Sequence, residues 1–238
     1  MRIPSERSAA WPFALALTVC FCILFITWPE LDRQISEQFY LGERRFIADA
    51  DRWADWLYVA VPRLGQIVFA VVVCTLLAHA LGWRCLRRSA WRAACAWALV
   101  VVLGVGLIAH EFLKNNVGRP RPAETSTMGG AHTYVPPFVQ SDACRRNCSF
   151  VSGHAAIAFS LMAWGAMAGP RWRWRWVLAG CACGAVMGAV RMLQGRHFFS
   201  DVVFAGLLVW WVQWALRQFW LLWIVQRRSG RWRLPQMI

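Results

Sequence analysis

Lysine is almost absent from this chain: Lys114 is the only one, and every other cationic side chain among the 26 is arginine. Acidic residues are scarce as well, 12 in 238, and charged residues of both signs make up only 16% of the sequence against 58% hydrophobic. So little charge over so much apolar sequence argues against a water-soluble domain. The sequence also lacks internal repeats, low-complexity tracts and long Gly/Ser linkers, so residues 1–238 read as one integral domain.

What is present is a series of long apolar runs and 17 tryptophans. About 20 apolar residues cross a bilayer core as helix. Hydropathy predicts six spans, at Ala9–Trp28, Leu64–Trp83, Ala94–Ala109, His154–Gly169, Trp176–Leu193 and Val202–Val225. The expected fold is an all-α, polytopic membrane helical bundle. The first span follows Arg2 and Arg7 but ends at Trp28-Pro29 without a small-residue cleavage pattern, which reads as a retained signal anchor.

Arginines crowd the short connections at Arg84–Arg92 and Arg171–Arg175, and the tail from Arg227 to Arg233. The positive-inside rule puts these, and both termini, in the cytoplasm. The net charge of +14 therefore reflects topology and anionic headgroups, and no nucleic-acid partner is expected. The alternating run Arg171-Trp172-Arg173-Trp174-Arg175-Trp176 reads as a membrane-interface anchor. In the outer segment after the first span, Leu31–Tyr40 has the spacing of an interfacial amphipathic helix.

Of the nine cysteines, Cys20, Cys22, Cys74, Cys95, Cys181 and Cys183 lie in apolar spans and read as small buried hydrophobes. Cys85 falls in a cytoplasmic loop. Cys144 and Cys148 lie in an outer loop, where an oxidising compartment permits a bridge. Two thiols without further partners make a poor zinc set, and no metal is expected.

The predicted topology brings three polar blocks to one outer face. Lys114 and Arg121 follow span three, Ser152-Gly153-His154 opens span four, and Arg191, His197 and Asp201 bracket the turn between spans five and six. Phosphoryl transfer needs such residues, because its transition state spreads charge over three equatorial oxygens. Arg121 and Arg191 supply planar forks and Lys114 a compact charge. Arg119 competes with Arg121 for that role. Ser152 reads either as a helix N-cap or, with Gly153, as part of a helix-terminal anion site. His197 and Asp201, four apart, share a helix face, so the carboxylate can orient the imidazole.

Lys114 with Arg121-Pro122, then Val151-Ser152-Gly153-His154, then Val190-Arg191 with His197 and Asp201 together resemble the type 2 phosphatidic acid phosphatase (PAP2) superfamily. Val151 stands where that family has proline and Val190 where it has serine. The resemblance implies a metal-independent hydrolase without cofactor. His197 would act as nucleophile through a phosphohistidine, Asp201 would orient it and His154 would be the acid and base. Lys114, Arg121, Ser152, Gly153 and Arg191 would hold the phosphate.

The implied substrate is a phosphate monoester or diphosphate on a membrane lipid, at the periplasmic face of the inner membrane. Lipid A, undecaprenyl diphosphate, phosphatidylglycerol phosphate and phosphatidic acid are the candidates. The form Cys148-Ser149-Phe150-Val151-Ser152-Gly153 is similar to that of bacterial members near the lipid A phosphatases. The rival readings are a phospholipid carrier that does not hydrolyse and a haloperoxidase. Neither the monoester or diphosphate preference nor the oligomeric state follows from the sequence.

Overall fold

A computed structural model describes residues 10–49, 51–83 and 86–228. Arg2, Arg7, Arg84, Cys85, Arg231 and Arg233 lie outside those residues. The chain is mostly helical. Its elements are α1 (Ala10–Thr27), α2 (Leu31–Glu37), a hairpin of β1 (Tyr40–Gly42) and β2 (Arg45–Phe46), α3 (Arg52–Ala78), α4 (Arg88–Leu99), α5 (Lys114–Asn116), α6 (Gly153–Phe159), α7 (Pro170–Leu193) and α8 (Phe199–Arg228). A π-helical stretch, Val100–Leu113, joins α4 to α5, and a 3₁₀ stretch, Ser160–Gly165, extends α6.

Among the described residues, four helical segments are long and apolar enough to cross a membrane: Arg52–Trp83, Arg88–Asn116, Arg171–Leu193 and Phe199–Ile224. A fifth is obtained if Trp11–Thr27 and Leu31–Glu37, bent by 83°, count as one broken span. The chain is thus a multi-pass membrane protein with four to five candidate spans where the sequence predicts six. The difference lies mainly at the fourth expected span. There α6 and its 3₁₀ extension reach only about 20 Å at their respective rises, short of a hydrocarbon core.

Helix ends also shift. The third expected span runs on through α5, so Lys114 sits on the last helical turn of a segment and not in the loop after it. The Arg/Trp run occupies the first turns of α7.

The core lies where α4, α6, α7 and α8 meet around Trp97, Val100, Ala155, Phe159, Met162 and Val209. Small residues let α7 approach closely. A Cβ on Gly184 would fall 2.2 Å from the Phe159 ring, and one on Gly188 would fall 2.2 Å from Val202. By contrast α1 and α3 lie outermost, with Phe13, Ile23, Leu64 and Val71 turned outward. In a bilayer such side chains meet lipid, so their exposure costs nothing.

The extra-membrane pieces cap the end of the bundle where α7 hands over to α8. Ala48 N–H donates to Leu193 O, and Ala123 N–H donates to Gly195 O. Gly195 has φ +63°, and a Cβ there would strike the Phe46 ring at 2.5 Å. That turn, which carries His197, therefore requires glycine. The amphipathic segment expected near Leu31–Tyr40 is helical over Leu31–Glu37, but its inward face is polar, burying Asp32 and Ser36.

Candidate active site

His197 lies in the five-residue turn between α7 and α8, and Asp201 in the first turn of α8. The His197 Nδ1 atom stands 3.4 Å from Asp201 Oδ2, both side chains almost fully buried. That contact is close enough for an ion pair, but its geometry does not complete a hydrogen bond. Contacts of this kind often tighten in the substrate complex. Because Nδ1 faces the carboxylate, Nε2 is the nitrogen left to react. Burial holds the His197 imidazole well below the ordinary histidine range against the pull of Asp201, and Lys114 and Arg191 push the same way. The imidazole is therefore an unprotonated base near neutral pH.

Asp201 is held from every side. Its Oδ1 accepts from Arg119 Nη1 at 2.8 Å, and its Oδ2 accepts from Phe198 N–H at 2.8 Å and from Ser149 Oγ–H at 2.5 Å. Arg119 is wholly buried and spans two carboxylates, reaching Asp32 Oδ2 through Nη2 at 2.9 Å. Its guanidinium also lies 4.0 Å from the centroid of the Phe198 ring. Ser200 bridges the same groups: its N–H donates to Asp32 Oδ1 at 2.9 Å, and its hydroxyl donates to Asp32 Oδ2. Burial disfavours the charge on Arg119, but Asp201 and Asp32 more than offset it and raise its pKa.

This geometry resolves the competition between the two loop arginines. Arg119 is consumed by structure. Arg121 instead reaches outward, donating from Nη2 to Asn147 O at 2.9 Å. Lys114 lies beside it, with Nζ 3.3 Å from Asn147 Oδ1 and 3.1 Å from Cys148 O. One residue thus sets both cations. Asn147 has φ +52° and sits inside the loop closed by Cys144 and Cys148, whose sulfurs are bonded with Cα atoms 5.7 Å apart.

Ser152 caps α6. Its oxygen accepts from Ala155 N–H at 3.4 Å, and its own N–H donates to Asp201 O at 3.0 Å. The N-cap reading of Ser152 thus accounts for its side chain. A Cβ on Gly153 would point toward Lys114 Cε, 3.5 Å away, with no clash. The bare glycine leaves the space between the lysine and the helix start for a ligand.

His154 follows on α6, stacked on the Tyr58 ring with centroids 4.9 Å apart. The Arg191 guanidinium lies 4.5 Å from the centroid of the same ring. Arg191 Nη1 also donates to Gln194 Oε1 at 2.5 Å, leaving its Nε without a partner among the described residues. The charges of Arg191, Lys114 and Arg121 all act on His154.

The eight residues expected at the site are therefore brought to one end of the bundle. The sequence reading missed Asp32, Tyr58, Asn147, Ser149, Gln194 and Ser200. Asn147 and Ser149 adjoin the second block and Gln194 and Ser200 lie within the third, whereas Asp32 and Tyr58 carried no local signal.

Two imidazoles, one of them against a buried carboxylate, facing three cations at the end of a membrane bundle define a class: a membrane-bound enzyme of phosphoryl transfer. The model of the PAP2 superfamily matches residues 95–224. The chain is 35% identical over 220 residues to a lipid A 4'-phosphatase of Francisella tularensis subsp. novicida (strain U112), covering 87% of this chain and 96% of that protein. It is 28% identical over 205 residues to a lipid A 4'-phosphatase of Rhizobium leguminosarum, covering 77% and 84%. A lipid A 1-phosphatase of Rhizobium johnstonii is 34% identical over 112 residues, covering 47% and 41%. No solved structure matches the chain. The chain belongs to the PAP2 superfamily and is a lipid phosphatase, a phosphoric monoester hydrolase.

Proposed function

We propose that this enzyme removes a phosphate monoester from lipid A, the 4'-phosphate first among its targets. It acts at the periplasmic face of the inner membrane, with both termini in the cytoplasm and six passages through the bilayer, α6 making a short one. The relative named lipid A 4'-phosphatase, aligned over 96% of its length, is the observation that carries the substrate.

The reaction runs in two displacements. His197 Nε2 attacks phosphorus while the bond to the sugar oxygen breaks, and His154 delivers a proton to that oxygen. Water then attacks the phosphohistidine, His154 taking its proton, and inorganic phosphate leaves. Lys114, Arg121 and Arg191 carry the charge of the equatorial oxygens, with the Gly153 end of α6 beside them, in the role that a metal ion fills elsewhere. Asp201 fixes the nucleophile and stabilises the imidazolium character that develops on it. The whole chain acts as one domain in this scheme.

The test is phosphate release in detergent micelles with chelator present, from lipid A, undecaprenyl diphosphate, phosphatidylglycerol phosphate and phosphatidic acid. Mass spectrometry of the product assigns the position lost. Chelator-resistant loss of the 4'-phosphate supports the proposal. Faster turnover of another lipid, or loss of the 1-phosphate alone, overturns the substrate.

A further inference from the structure

Among the described residues α3 buries only Ala54 and Val72 of its 27 residues. Most of it faces outward, yet at one level it meets the active site. There the Tyr58 ring packs on both the His154 imidazole and the Arg191 guanidinium. Tyr58 is itself 44% exposed, so its ring does not serve to fill a core.

Four residues further along the helix stands Pro62. An α-helix would send the N–H of residue 62 to the carbonyl of residue 58, but proline has no N–H to send. The Tyr58 carbonyl is therefore released from the helical ladder. In apolar surroundings a released carbonyl needs another donor. A hydrogen bond joins the Tyr58 main chain to the His154 imidazole. The Tyr58 N–H is engaged inside α3, which makes the carbonyl the acceptor.

The same imidazole must hold a proton among cations. Lys114 from α5, Arg121 from the loop 118–122 and Arg191 from α7 all bear on it, while Asp55, one turn before Tyr58 on α3, bears on Arg191. His197 has Asp201 beside it; among the described residues His154 has no carboxylate in that position. A carbonyl acceptor at one ring nitrogen fixes which nitrogen is left to exchange a proton. The face of an aromatic ring attracts a cation, so Tyr58 favours both the imidazolium and the guanidinium that it touches.

We propose that Tyr58 is a positioning residue for the proton transfer. Its carbonyl, released by Pro62, orients the His154 imidazole, and its ring bears the imidazolium and the Arg191 guanidinium together. This rests on His154 as the acid and base of the reaction proposed above.

The test measures kcat/KM for lipid A against pH, with the full-length enzyme in detergent. Its alkaline limb reports the acid of the first displacement. In Tyr58→Leu the rate falls about tenfold and that limb moves about half to one unit toward lower pH, the worth of a cation on a ring face. Tyr58→Phe keeps the face and restores both. Pro62→Ala returns an N–H that competes for the carbonyl. Its unfolding midpoint rises, because proline is costly inside a helix, yet kcat falls about two- to tenfold, the worth of one hydrogen bond.

His154→Ala separates the two readings. If its residual activity keeps the alkaline limb, the acid is another group, and the role of His154 fails together with that of Tyr58. If that limb is lost in His154→Ala but unmoved in Tyr58→Leu, the role of His154 stands and that of Tyr58 is overturned. A lower midpoint together with a lower rate in Pro62→Ala would assign the proline to the shape of α3 and overturn the freed carbonyl. Should Tyr58→Leu fail to fold, Pro62→Ala decides alone.

Discussion

Arg119 Nη1 donates to Asp201 Oδ1 at 2.8 Å while its Nη2 donates to Asp32 Oδ2 at 2.9 Å, all three side chains fully buried. Arg119, two residues before Arg121, therefore holds from behind the carboxylate that faces His197, and it ties α2 to the first turn of α8. A buried pair of this kind contributes little net stability when intact, but losing one member strands a charge.

Replacing Arg119 by leucine leaves two buried carboxylates uncompensated. We expect about 3–5 kcal/mol of destabilisation, read as a fall in unfolding midpoint in detergent. Arg119→Lys cannot reach both carboxylates with a fork. It should fold less stably and lower kcat with KM little changed, because the substrate contacts remain while His197 loses its fixed partner.

Arg121 behaves oppositely. Among the described residues its guanidinium hydrogen-bonds a backbone oxygen at the loop surface and no carboxylate, so Arg121→Gln should leave the unfolding midpoint within error. It should lower kcat/KM by about 10–100-fold, the worth of a hydrogen bond to a charged group. Equal destabilisation by the Arg119 and Arg121 variants would reverse the assignment.

Asn147 sets Lys114 and Arg121 from within the loop closed by Cys144 and Cys148. Reduction of that bridge should raise KM for the lipid more than it lowers the unfolding midpoint, since the closed loop is too short to constrain much chain entropy. Cys144→Ser/Cys148→Ser should reproduce the effect and remove its sensitivity to reductant. Identical KM with and without reductant in the wild type would count against the loop's role.

The depressed affinity of His197 for protons has a thermodynamic signature. Its folded pKa lies below the unfolded value of 6.5. Between 6.5 and the lower folded value the unfolded state binds the extra proton. Stability from this group is thus complete above pH 6.5 and declines as pH falls through that window, by up to about 1.4 kcal/mol per unit. Unfolding midpoints measured at pH 7 and 5 should drop further in wild type than in His197→Gln. A parallel drop would mean that His197 is protonated as readily in the folded protein as in the unfolded one.

Much of the site was legible in the chain because its residues come in three blocks at helix ends, where a single-sequence pattern carries both spacing and topology. Lys114, Arg121, His154, Arg191, His197 and Asp201 follow from those blocks. Asp32 did not, because its partner is 87 residues away and an acidic residue in a short amphipathic helix looks solvated. Tyr58 was hidden for a similar reason: an aromatic residue on a membrane helix carries no sign that its ring packs on both His154 and Arg191. Hydropathy found the long helices well, but at α6 it read a full-length span from Ala and Gly packed against α7, where the helix and its 3₁₀ extension are short.

The central claim is that His197 carries the phosphoryl group. The direct measurement is a rapid alkaline quench of the wild-type enzyme with radiolabelled lipid A, followed by peptide mapping. The account predicts an acid-labile, base-stable label on the peptide containing His197, absent from His197→Ala and accumulating in His154→Ala, where the second step lacks its base. Phosphate release at full rate with no covalent label, or a label that persists in His197→Ala, would contradict it.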